Sequence, residues 1–420
     1  MKHLLAVCLL APALSAADIS GTWEFTVKGG DMEAAQRLKL TADNGAYTFH
    51  FQGSTLTGKP DGGAIEFRCT QGGKDCGVLK GTASDSAMSG DGVIDGIKLA
   101  WSARRPAVPP ASPSRREFTP TVFYREFSSA IEPVLRIFPG DTVHTKTVDA
   151  GGRDEKGEHR VFGGNPETGP FYIEGAMPGD TLVVQFTHVR LNRDSAFSGD
   201  SVVPSALDPG YFRNLKEASD FDSEWKLDRE NGTAMLKHPT ERLKNYKVPL
   251  RPMLGCVAVA PPAGQTLRAG YLGSWGGNMD YNELRESTTV YLPVNVPGAL
   301  LFIGDGHALQ GDGELTGDAL ETSMDVELTV SVEQGGRQRQ PRFENVEYVM
   351  TSGIANSLAE AVQLATTGMS QYLAGRYQLN PSEVGIVLGT AIKYDIAELV
   401  DPLVHVVAKL PRKALEGLSH

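Results

Sequence analysis

Glycine and proline interrupt this chain at short intervals, and that spacing limits the folds it can adopt. The sequence of 420 residues contains 47 glycines and 25 prolines, roughly 17% of the chain against an average of about 12%. Both residues form tight turns and interrupt helices and strands. A chain with so many turns favours short strands over long helices, so we expect a β-rich protein.

Length, composition and charge indicate a folded protein of more than one domain. Hydrophobic residues make up 40% of the chain and charged residues 22%, which is ordinary for a globular protein. At about 100–200 residues per domain, the chain has room for two or three domains. The net charge is -11, and no run of lysine and arginine could follow a phosphate backbone. We therefore expect no nucleic-acid partner.

Residues 1–17 have the pattern of a cleavable export signal. A basic start at Lys2 and His3 precedes an apolar stretch from Leu4 to Leu14, which small residues follow. The stretch is too short to cross a bilayer, and no later stretch approaches the roughly 18 apolar residues of a membrane helix. We expect an exported protein, periplasmic or extracellular, with no membrane partner.

Residues 18–104 alternate apolar and polar side chains in short runs such as GTWEFTV, AYTFHF and IKLAWSA. The pattern predicts a small antiparallel β domain, either a sheet or a barrel, with Trp23 and Trp101 in its core. Cys69 and Cys76 flank the turn TQGGKD, so a local disulfide is expected in an oxidising compartment. The third cysteine outside the signal, Cys256, lies in the apolar run MLGCVAVAP and is expected to be a buried thiol.

Residues 105–120 contain five prolines and are predicted to be a linker. Residues 121–420 then form the larger domain. Two segments in it, at 133–150 and 171–189, share a strand–PGDT–strand pattern, which predicts two hairpins and a β-sandwich-like core. Residues 193–250 are polar and weakly periodic, and we interpret them as a long excursion that could cover a cleft.

The C-terminal part of the chain has helical periodicity. Within residues 355–378, apolar side chains recur on one predicted face at Leu358, Ala361, Val362, Ala365 and Met369. Asn356 or Ser357 can cap this helix. A second helix is predicted to start near Pro381 and a third near Tyr394, so that helices occupy about residues 355–410. The predicted fold class is therefore α+β and β-rich, with a helical C-terminal segment.

Acidic side chains and one histidine are concentrated after the apolar run ALLFIG, in the segment GDGHALQGDGELTGDALE. The glycines let the backbone turn sharply and bring side chains together, and Asp305 and His307 share one face of an extended segment. A mixture of oxygen and nitrogen donors suits a divalent metal, with zinc favoured over calcium because histidine is present; manganese and nickel stay open. The acids do not have the spacing of an EF-hand, and a solvated glycine- and aspartate-rich loop is the alternative. The candidate residues of this segment are Asp305, His307, Asp312, Glu314 and Glu321. Asp280, at the end of the upstream turn GGNMD, is a further candidate.

Several of these motifs together resemble the acetamidase/formamidase family. They are GGNMD, YLPVNVPGAL, IGDGHALQGDGE, the segment NPETGPFYIEGAMPGDTLVV, GCVAVAP and the helical GIANSLAEA, and they extend from about residue 122 to 410. The resemblance implies hydrolysis of short aliphatic amides to a carboxylate and ammonia, by a β-rich α+β domain with a metal site. Met177 and Trp275 depart from the family pattern, and residues 18–104 lie outside it.

For such a reaction a water molecule must become nucleophilic and the departing nitrogen must be protonated. We assign Asp280, Asp305 and His307 as ligands of a divalent metal, for which the donor types favour zinc. Glu314 is the favoured general base and Asp312 the second choice, while Asn278 and Gln310 could bind the amide. Asp149 and Glu321 are further candidates. We expect a small-molecule amide substrate and a homo-oligomer.

Two other interpretations stay open at this point. A serine or cysteine nucleophile is one, although no GxSxG motif occurs and Cys256 has apolar neighbours. The other is a secreted binding protein whose amidase-like unit is catalytically inactive. Metal content and ammonia release would separate these interpretations.

If the N-terminal segment is an export signal, the mature protein begins at Ala17 or Asp18, because the basic and apolar parts of the signal precede those residues. Mass spectrometry of the exported protein measures this directly. Exported protein that retains Met1 would contradict the prediction.

Overall fold

The computed structural model describes residues 18–30, 32–215, 221–336 and 338–418. The predicted export signal, residues 1–17, lies outside the described residues. The chain divides between Val108 and Pro109 into two compact units.

The first unit contains eight strands that form a closed antiparallel barrel within the described residues. Each strand pairs with the next along the chain, and β8 pairs back onto β1. The inward side chains include Trp23, Phe25, Phe67 and Trp101, all buried. The small antiparallel β domain is thus confirmed, and the two tryptophans lie in its core. The strands are β1 Gly21–Gly29, β2 Met32–Asp43, β3 Ala46–Phe51, β4 Ser54–Asp61, β5 Ala64–Gln71, β6 Lys74–Ala83, β7 Ala87–Ile94 and β8 Ile97–Arg104.

A disulfide joins the neighbouring ends of β5 and β6. It links Cys69 and Cys76, whose Cα atoms are 5.2 Å apart, so the predicted bridge is confirmed. Cys256 in the second unit is a free and buried thiol, as expected from its apolar neighbours.

The second unit is built on two large sheets. The six-stranded sheet has the order β11 Leu135–Ile137, β13 Thr168–Ile173, β24 Leu301–His307, β19 Met253–Ala258, β22 Gly276–Asn278 and β21 Leu272–Gly273. The nine-stranded sheet has the order β28 Lys393–Glu398, β29 Val404–Pro411, β27 Tyr348–Ala355, β26 Arg342–Glu344, β23 Thr289–Pro293, β14 Thr181–Leu191, β25 Met324–Glu333, β12 Thr142–Lys146 and β9 Arg115–Glu117. One buried apolar core contains side chains of both sheets, which is the packing of a β-sandwich.

The two PGDT turns change sheets, so the prediction of two hairpins is wrong. The first turn connects β11 of the six-stranded sheet to β12 of the nine-stranded sheet, and the second leads from β13 to β14 in the same way. In each turn the aspartate accepts a backbone N–H from three residues earlier, Asp141 from Phe138 and Asp180 from Met177. These bonds stabilise corners in the chain, which lets consecutive strands lie on opposite sides of the core.

Residues 193–250 contain more regular structure than their polar sequence indicated. They include a four-stranded sheet in sequence order, β15 Ser195–Phe197, β16 Glu224–Asp228, β17 Thr233–Leu236 and β18 Val248–Pro249. A short helix, α1 Pro209–Phe212, and a 3-10 turn at Pro204–Ala206 lie between β15 and β16. A further pair, β10 Glu126–Ser128 and β20 Thr266–Arg268, forms a separate two-stranded sheet.

Two helices follow the last core strands, α2 Leu358–Tyr377 and α3 Pro381–Ala391. The Ser357 side chain caps α2 by accepting the N–H of Glu360, and Asn380 caps α3 in a capping box with Glu383. The buried face of α2 differs in part from the predicted one. It consists of Ala361, Ala365, Met369 and Leu373, whereas Leu358 and Val362 are exposed.

The prediction of a third helix near Tyr394 is wrong. Residues 393–398 form β28, which pairs antiparallel with β29 at the edge of the nine-stranded sheet. A neighbouring strand with open backbone groups therefore overrides the local helical pattern. A 3-10 turn follows at Arg412–Ala414. No helix in the described parts of the chain combines the length and apolar character needed to cross a membrane.

A buried histidine on β29 of the nine-stranded sheet, His405, is held in its neutral form. His405 Nδ1 lies 2.7 Å from the Met279 carbonyl oxygen and Nε2 lies 2.9 Å from Ser352 Oγ. An imidazole N–H donates to the carbonyl, and the serine hydroxyl donates to the other ring nitrogen. Burial lowers the pKa of His405 from 6.5 to about 4.

Acidification should therefore destabilise the protein through His405. Between pH 6.5 and about 4 the unfolded chain binds a proton at this residue and the folded chain does not. The free energy of unfolding therefore falls as the pH decreases through that range. From pH 7 to pH 5 the loss due to this residue is about 2 kcal/mol, and His405→Gln should remove it. Urea unfolding at both pH values measures this, and parallel losses in the two proteins would contradict it.

Candidate active site

The site is built around β24, in the middle of the six-stranded sheet. All seven residues of this strand are buried, with β13 and β19 as its neighbours. Asp305 and His307 are two residues apart, so their side chains lie on the same face. His307 Nε2 is 3.4 Å from Asp305 Oδ2. The structure thus places these two predicted residues in contact.

A glycine on the adjacent strand makes room for the polar side chains. A methyl group at Gly255 would overlap with Asp280, would lie 2.5 Å from Asp305 Oδ2, and would lie 3.0 Å from His307 Cε1. These three side chains therefore converge over the Cα of Gly255. Asp280 reaches this point from the end of β22, and its Oδ1 is 3.9 Å from His307 Nδ1.

Three acids of the site have left-handed backbone conformations. The φ angles are 41° at Asp280, 53° at Asp305 and 45° at Glu314. Such angles are uncommon for residues other than glycine, although aspartate tolerates them better than most. Their concentration in one cluster indicates a functional constraint on side-chain direction.

Gln310 fixes the orientation of the His307 ring. The Gln310 amide nitrogen donates to the backbone carbonyl of Asp280 at 2.5 Å, so its Oε1 is the atom that faces His307 Nδ1, at 2.9 Å. Nδ1 therefore carries the proton that it donates to Oε1, and Nε2 points into the cluster. Sequence analysis assigned Gln310 to the substrate amide, but its hydrogen bonds give it this positioning role.

The free nitrogen of His307 faces three carboxylates. Nε2 lies 3.1 Å from Glu321 Oε1, 3.4 Å from Asp305 Oδ2 and 3.9 Å from Glu314 Oε1. Glu321 reaches this position because its backbone is paired with His307. Glu321 was only a minor candidate in the sequence, and here it lies closer to Nε2 than Asp305 does.

Two further acids of the cluster were missed in the sequence. Glu398 lies at the end of β28, and the N–H of Gly313 donates to the neighbouring Ala397 carbonyl at 3.1 Å. Asp401 follows three residues later, and Asn278 Nδ2 donates to both Asp401 Oδ2 at 2.8 Å and Asp280 Oδ2 at 2.6 Å. The available signal was the pair of acids within four residues of the run KYDIA, which the sequence analysis interpreted as the start of a helix.

The amides of Asn165 and Asn278 also belong to the cluster. Asn165 Nδ2 donates to Asn278 Oδ1 at 2.9 Å and lies 3.3 Å from Asp305 Oδ2. Asn278 was expected to bind substrate, but its amide nitrogen is occupied by Asp280 and Asp401. It therefore orients carboxylates.

Two predicted residues lie outside the cluster. Asp312 is exposed and accepts a hydrogen bond from Asn282 Nδ2 at 2.8 Å. The assignment of Asp312 as an alternative base is thus not supported, because a surface carboxylate cannot reach the buried cluster. Asp149 is buried against Arg193, with 2.7 Å between Oδ2 and the guanidinium, and stabilises the fold.

Burial shapes the electrostatics of the cluster. Burial and the neighbouring carboxylates raise the pKa of Asp280 and of Glu314 well above the usual range. Burial raises the pKa of Glu321 to about 8 and, with Glu398 beside it, that of Asp401 to about 8. Burial alone would lower the pKa of His307, but Glu321 and Asp305 raise it well above its usual value. The cluster therefore attracts positive charge.

The donor atoms fit a divalent cation. Buried atoms that have no hydrogen-bond partner among the described residues include Asp280 Oδ1, Asp305 Oδ1, His307 Nε2 and Glu321 Oε2. Unpaired buried polar atoms are costly, and a metal ion offsets that cost. Asp305, His307 and Glu321 can each offer one ligand atom, all within 4.8 Å of one another, and so can Asp280, His307 and Glu314.

The cluster opens to a cavity of about 260 Å³. Its lining includes Asp305, Glu314, Glu321 and Asp401, so the acids that could act on a bound molecule are accessible from it. The other lining residues are Ala150, Gly164, Asn165, Arg268, Gly270, Tyr271, Asn278, Gly317 and Asp318.

Residues 258–401 match the profile of the Acetamidase/Formamidase family. The resemblance to this family is confirmed. The matched range contains every acid of the cluster and His307, whereas the barrel of the first unit lies outside it.

Individual proteins support the same relationship. A predicted formamidase of Schizosaccharomyces pombe is 29% identical over 195 residues, and a formamidase of Methylophilus methylotrophus is 28% identical over 193 residues. Each alignment covers 36% of this chain and 47% or 46% of the relative, so the chain spans about half the length of the curated relatives it matches. A solved structure of a predicted acetamidase/formamidase from Thermoanaerobacter tengcongensis has a TM-score of 0.62 and 27% identity, covering 73% of this chain and 99% of that one.

The convergence over Gly255 leads to a test of the site. Gly255→Ala should displace Asp280 or Asp305, because the added methyl group overlaps with both carboxylates and lies only 3.0 Å from His307 Cε1. We expect at least a tenfold loss of affinity for a divalent metal, measured by calorimetric titration of zinc into chelator-treated protein. Gly311→Ala is the matched control from the same acidic segment, because nothing lies within 4 Å of the added atom. Equal zinc affinity in Gly255→Ala and the wild type would contradict the described geometry.

Proposed function

We propose that this protein is an amidohydrolase that cleaves the C–N bond of short linear amides, of the formamide and acetamide type. The observation that carries the proposal is a buried carboxylate–histidine cluster that opens to a cavity, inside the segment that matches the Acetamidase/Formamidase family. The names of the relatives support the same reaction class.

A divalent cation, zinc, would be held by His307 Nε2, Asp305 and Glu321. This set differs from the one assigned in the sequence, because Glu321 Oε1 lies 3.1 Å from Nε2, whereas the contact of Asp280 is with Nδ1, at 3.9 Å. Histidine nitrogen and carboxylate oxygen are both ligands that zinc takes in proteins. Such a cation supplies a Lewis acid for the amide carbonyl and lowers the pKa of water.

Glu314 is the residue that we propose as general base and acid. It lines the cavity, and its Oε1 is held by the N–H of Ala319 at 3.0 Å. The carboxylate takes a proton from the attacking water as the new C–O bond forms. It returns that proton to the nitrogen as the C–N bond breaks, so the products are a carboxylic acid and ammonia, which exchange a proton in water.

The cavity favours a small acyl group. Pockets for drug-sized ligands are about 300–1,000 Å³, and this one is about 260 Å³. Gln310 and Asn278 do not bind substrate in this scheme; they hold His307 and the carboxylates in place. Asn165 also lines the cavity; because its Nδ2 donates to Asn278 and Asp305, its Oδ1 is the atom that we propose for contact with the amide.

The rival hypothesis of an inactive, ligand-binding relative is not supported. The carboxylates are buried and converge, although their mutual repulsion makes that arrangement costly without a function. We also propose that the protein is exported. The pattern of residues 1–17 and the disulfide in the first unit support that proposal. A homo-oligomeric state stays a prediction.

Turnover can be tested by ammonia release from formamide, acetamide, propionamide and larger amides. We expect activity on the short amides. Glu314→Gln should lower kcat by about 10²–10⁴-fold, the range for loss of a general base, while the zinc content measured by elemental analysis is retained. Asp312→Asn changes an exposed acid of the same segment and should leave kcat unaffected. Wild-type kcat in Glu314→Gln would exclude the assigned role, and no ammonia from any amide with metal-loaded wild-type protein would exclude the proposed function.

A further inference from the structure

The cluster contains more carboxylates than one cation can neutralise. The cluster around His307 contains five buried acids and one half-buried acid, Asp401; the buried ones are Asp280, Asp305, Glu314, Glu321 and Glu398. Asp280, Asp305, Glu314 and Glu321 each form an ion pair of 3.9 Å or less with His307, and within the described residues none of the six acids pairs with a lysine or an arginine. One divalent cation offsets two negative charges, so much of the buried charge would stay uncompensated.

A second set of donor atoms lies beside the histidine-containing set. Asp280, Glu398 and Asp401 each offer an oxygen, and these oxygens lie within 4.8 Å of one another. The only residue that this set shares with the groups around His307 is Asp280, which also belongs to the group with Glu314. Asp305 and Glu321 take no part in it.

In each acid of this second set, hydrogen bonds are made to only one of the two carboxylate oxygens. Asn278 Nδ2 binds Oδ2 of both Asp280 and Asp401. The backbone N–H groups of Val400 and Asp401 bind Glu398 Oε1. The acids are therefore held in place by groups that leave Asp280 Oδ1 and Glu398 Oε2 free.

Those two free oxygens are the observation that points to a ligand. Asp280 and Glu398 are both 0% exposed, and Asp280 Oδ1 and Glu398 Oε2 have no hydrogen-bond partner among the described residues. A buried carboxylate oxygen without a donor is costly. A cation bound by these acids would offset that cost, since Asp280, Glu398 and Asp401 each offer one oxygen within 4.8 Å of the others.

We propose that Asp280, Glu398 and Asp401 bind a second divalent cation, so that the protein contains a two-cation centre. The donors of this second site are all oxygen atoms, which favours a hard ion such as Mn²⁺ or Mg²⁺. The first site contains the imidazole nitrogen and favours zinc. The proposal that the second set binds a cation depends only on the positions of its oxygen atoms. The proposal that this cation takes part in amide hydrolysis rests on the proposed function.

The second set of acids lies beside the cavity in which we propose that the amide binds. Asp401 of the second site lines the same cavity as Asp305 and Glu321 of the first site, so both sites contribute acids to the cavity lining. Two neighbouring cations commonly bind the attacking and the leaving groups of a hydrolysis between them. The Asn278 amide, which holds Asp280 and Asp401, is in this account a positioning residue for the second site.

Metal stoichiometry tests the proposal on the full-length mature protein. Chelator-treated protein is dialysed against Zn²⁺ and Mn²⁺ together, freed of unbound metal, and measured by elemental analysis. We expect two cations per chain, one of them zinc. Glu398→Gln should keep the zinc and lose the second ion, whereas Glu321→Gln should lose zinc and keep the second ion. Asp312→Asn, an exposed acid outside both sets, should keep both ions.

Circular dichroism establishes that each variant is folded, and Asp401→Asn replaces Glu398→Gln if that variant does not fold. One cation per chain in the wild type would overturn the proposal, as would loss of the same single ion in Glu398→Gln and Glu321→Gln. The ammonia assay separates this result from the proposed function. Two cations without amide turnover would uphold the second site and exclude the amidase, and one cation with turnover would do the reverse.

Discussion

Six carboxylates packed around one imidazole are the constraint on which the larger unit of this protein depends. Buried acids repel one another and lose their hydration, so each must be held by donors or by positive charge. Gln310 holds the imidazole, Asn278 holds Asp280 and Asp401, and backbone N–H groups hold Glu398. The atoms that these groups leave free all belong to the same cluster, which is why the cluster is best understood as a cation site.

The sandwich provides the rigidity that such a cluster needs. Asp305 and His307 extend from a strand that is buried along its whole length and paired on both sides. Gly255 on the neighbouring strand removes the one side chain that would fill the space above them. The acids that complete the site come from turns and strand ends, where left-handed backbone at Asp280 and Glu314 directs the carboxylates inward. Strong packing beneath the site supports this strained backbone.

Sequence patterns were informative wherever neighbours along the chain decide the outcome. Period-two alternation predicted the small β domain, and the caps predicted where α2 and α3 begin. The residues near 394 show where such local patterns fail. Their pattern predicted a helix, but they form β28, because β29 has backbone groups available for pairing with them. The PGDT turns show a second limit. Their turn chemistry was visible in the sequence, but whether the next strand pairs with the previous one or crosses the core depends on distant strands.

The sequence by itself determined the chemistry of the site: the family resemblance, the segment with Asp305, His307 and Glu314, and the role of glycine in bringing them together. Residues two positions apart on a strand share a face, so Asp305 and His307 could be paired without a structure. Only the tertiary structure added Glu398, Asp401 and Asn165, exchanged Asp280 for Glu321 beside His307 Nε2, and removed Asp312. Those residues come from strands and loops far apart in the chain. Contacts between them arise when the sheets form, and no local pattern records which distant carboxylates will be buried together.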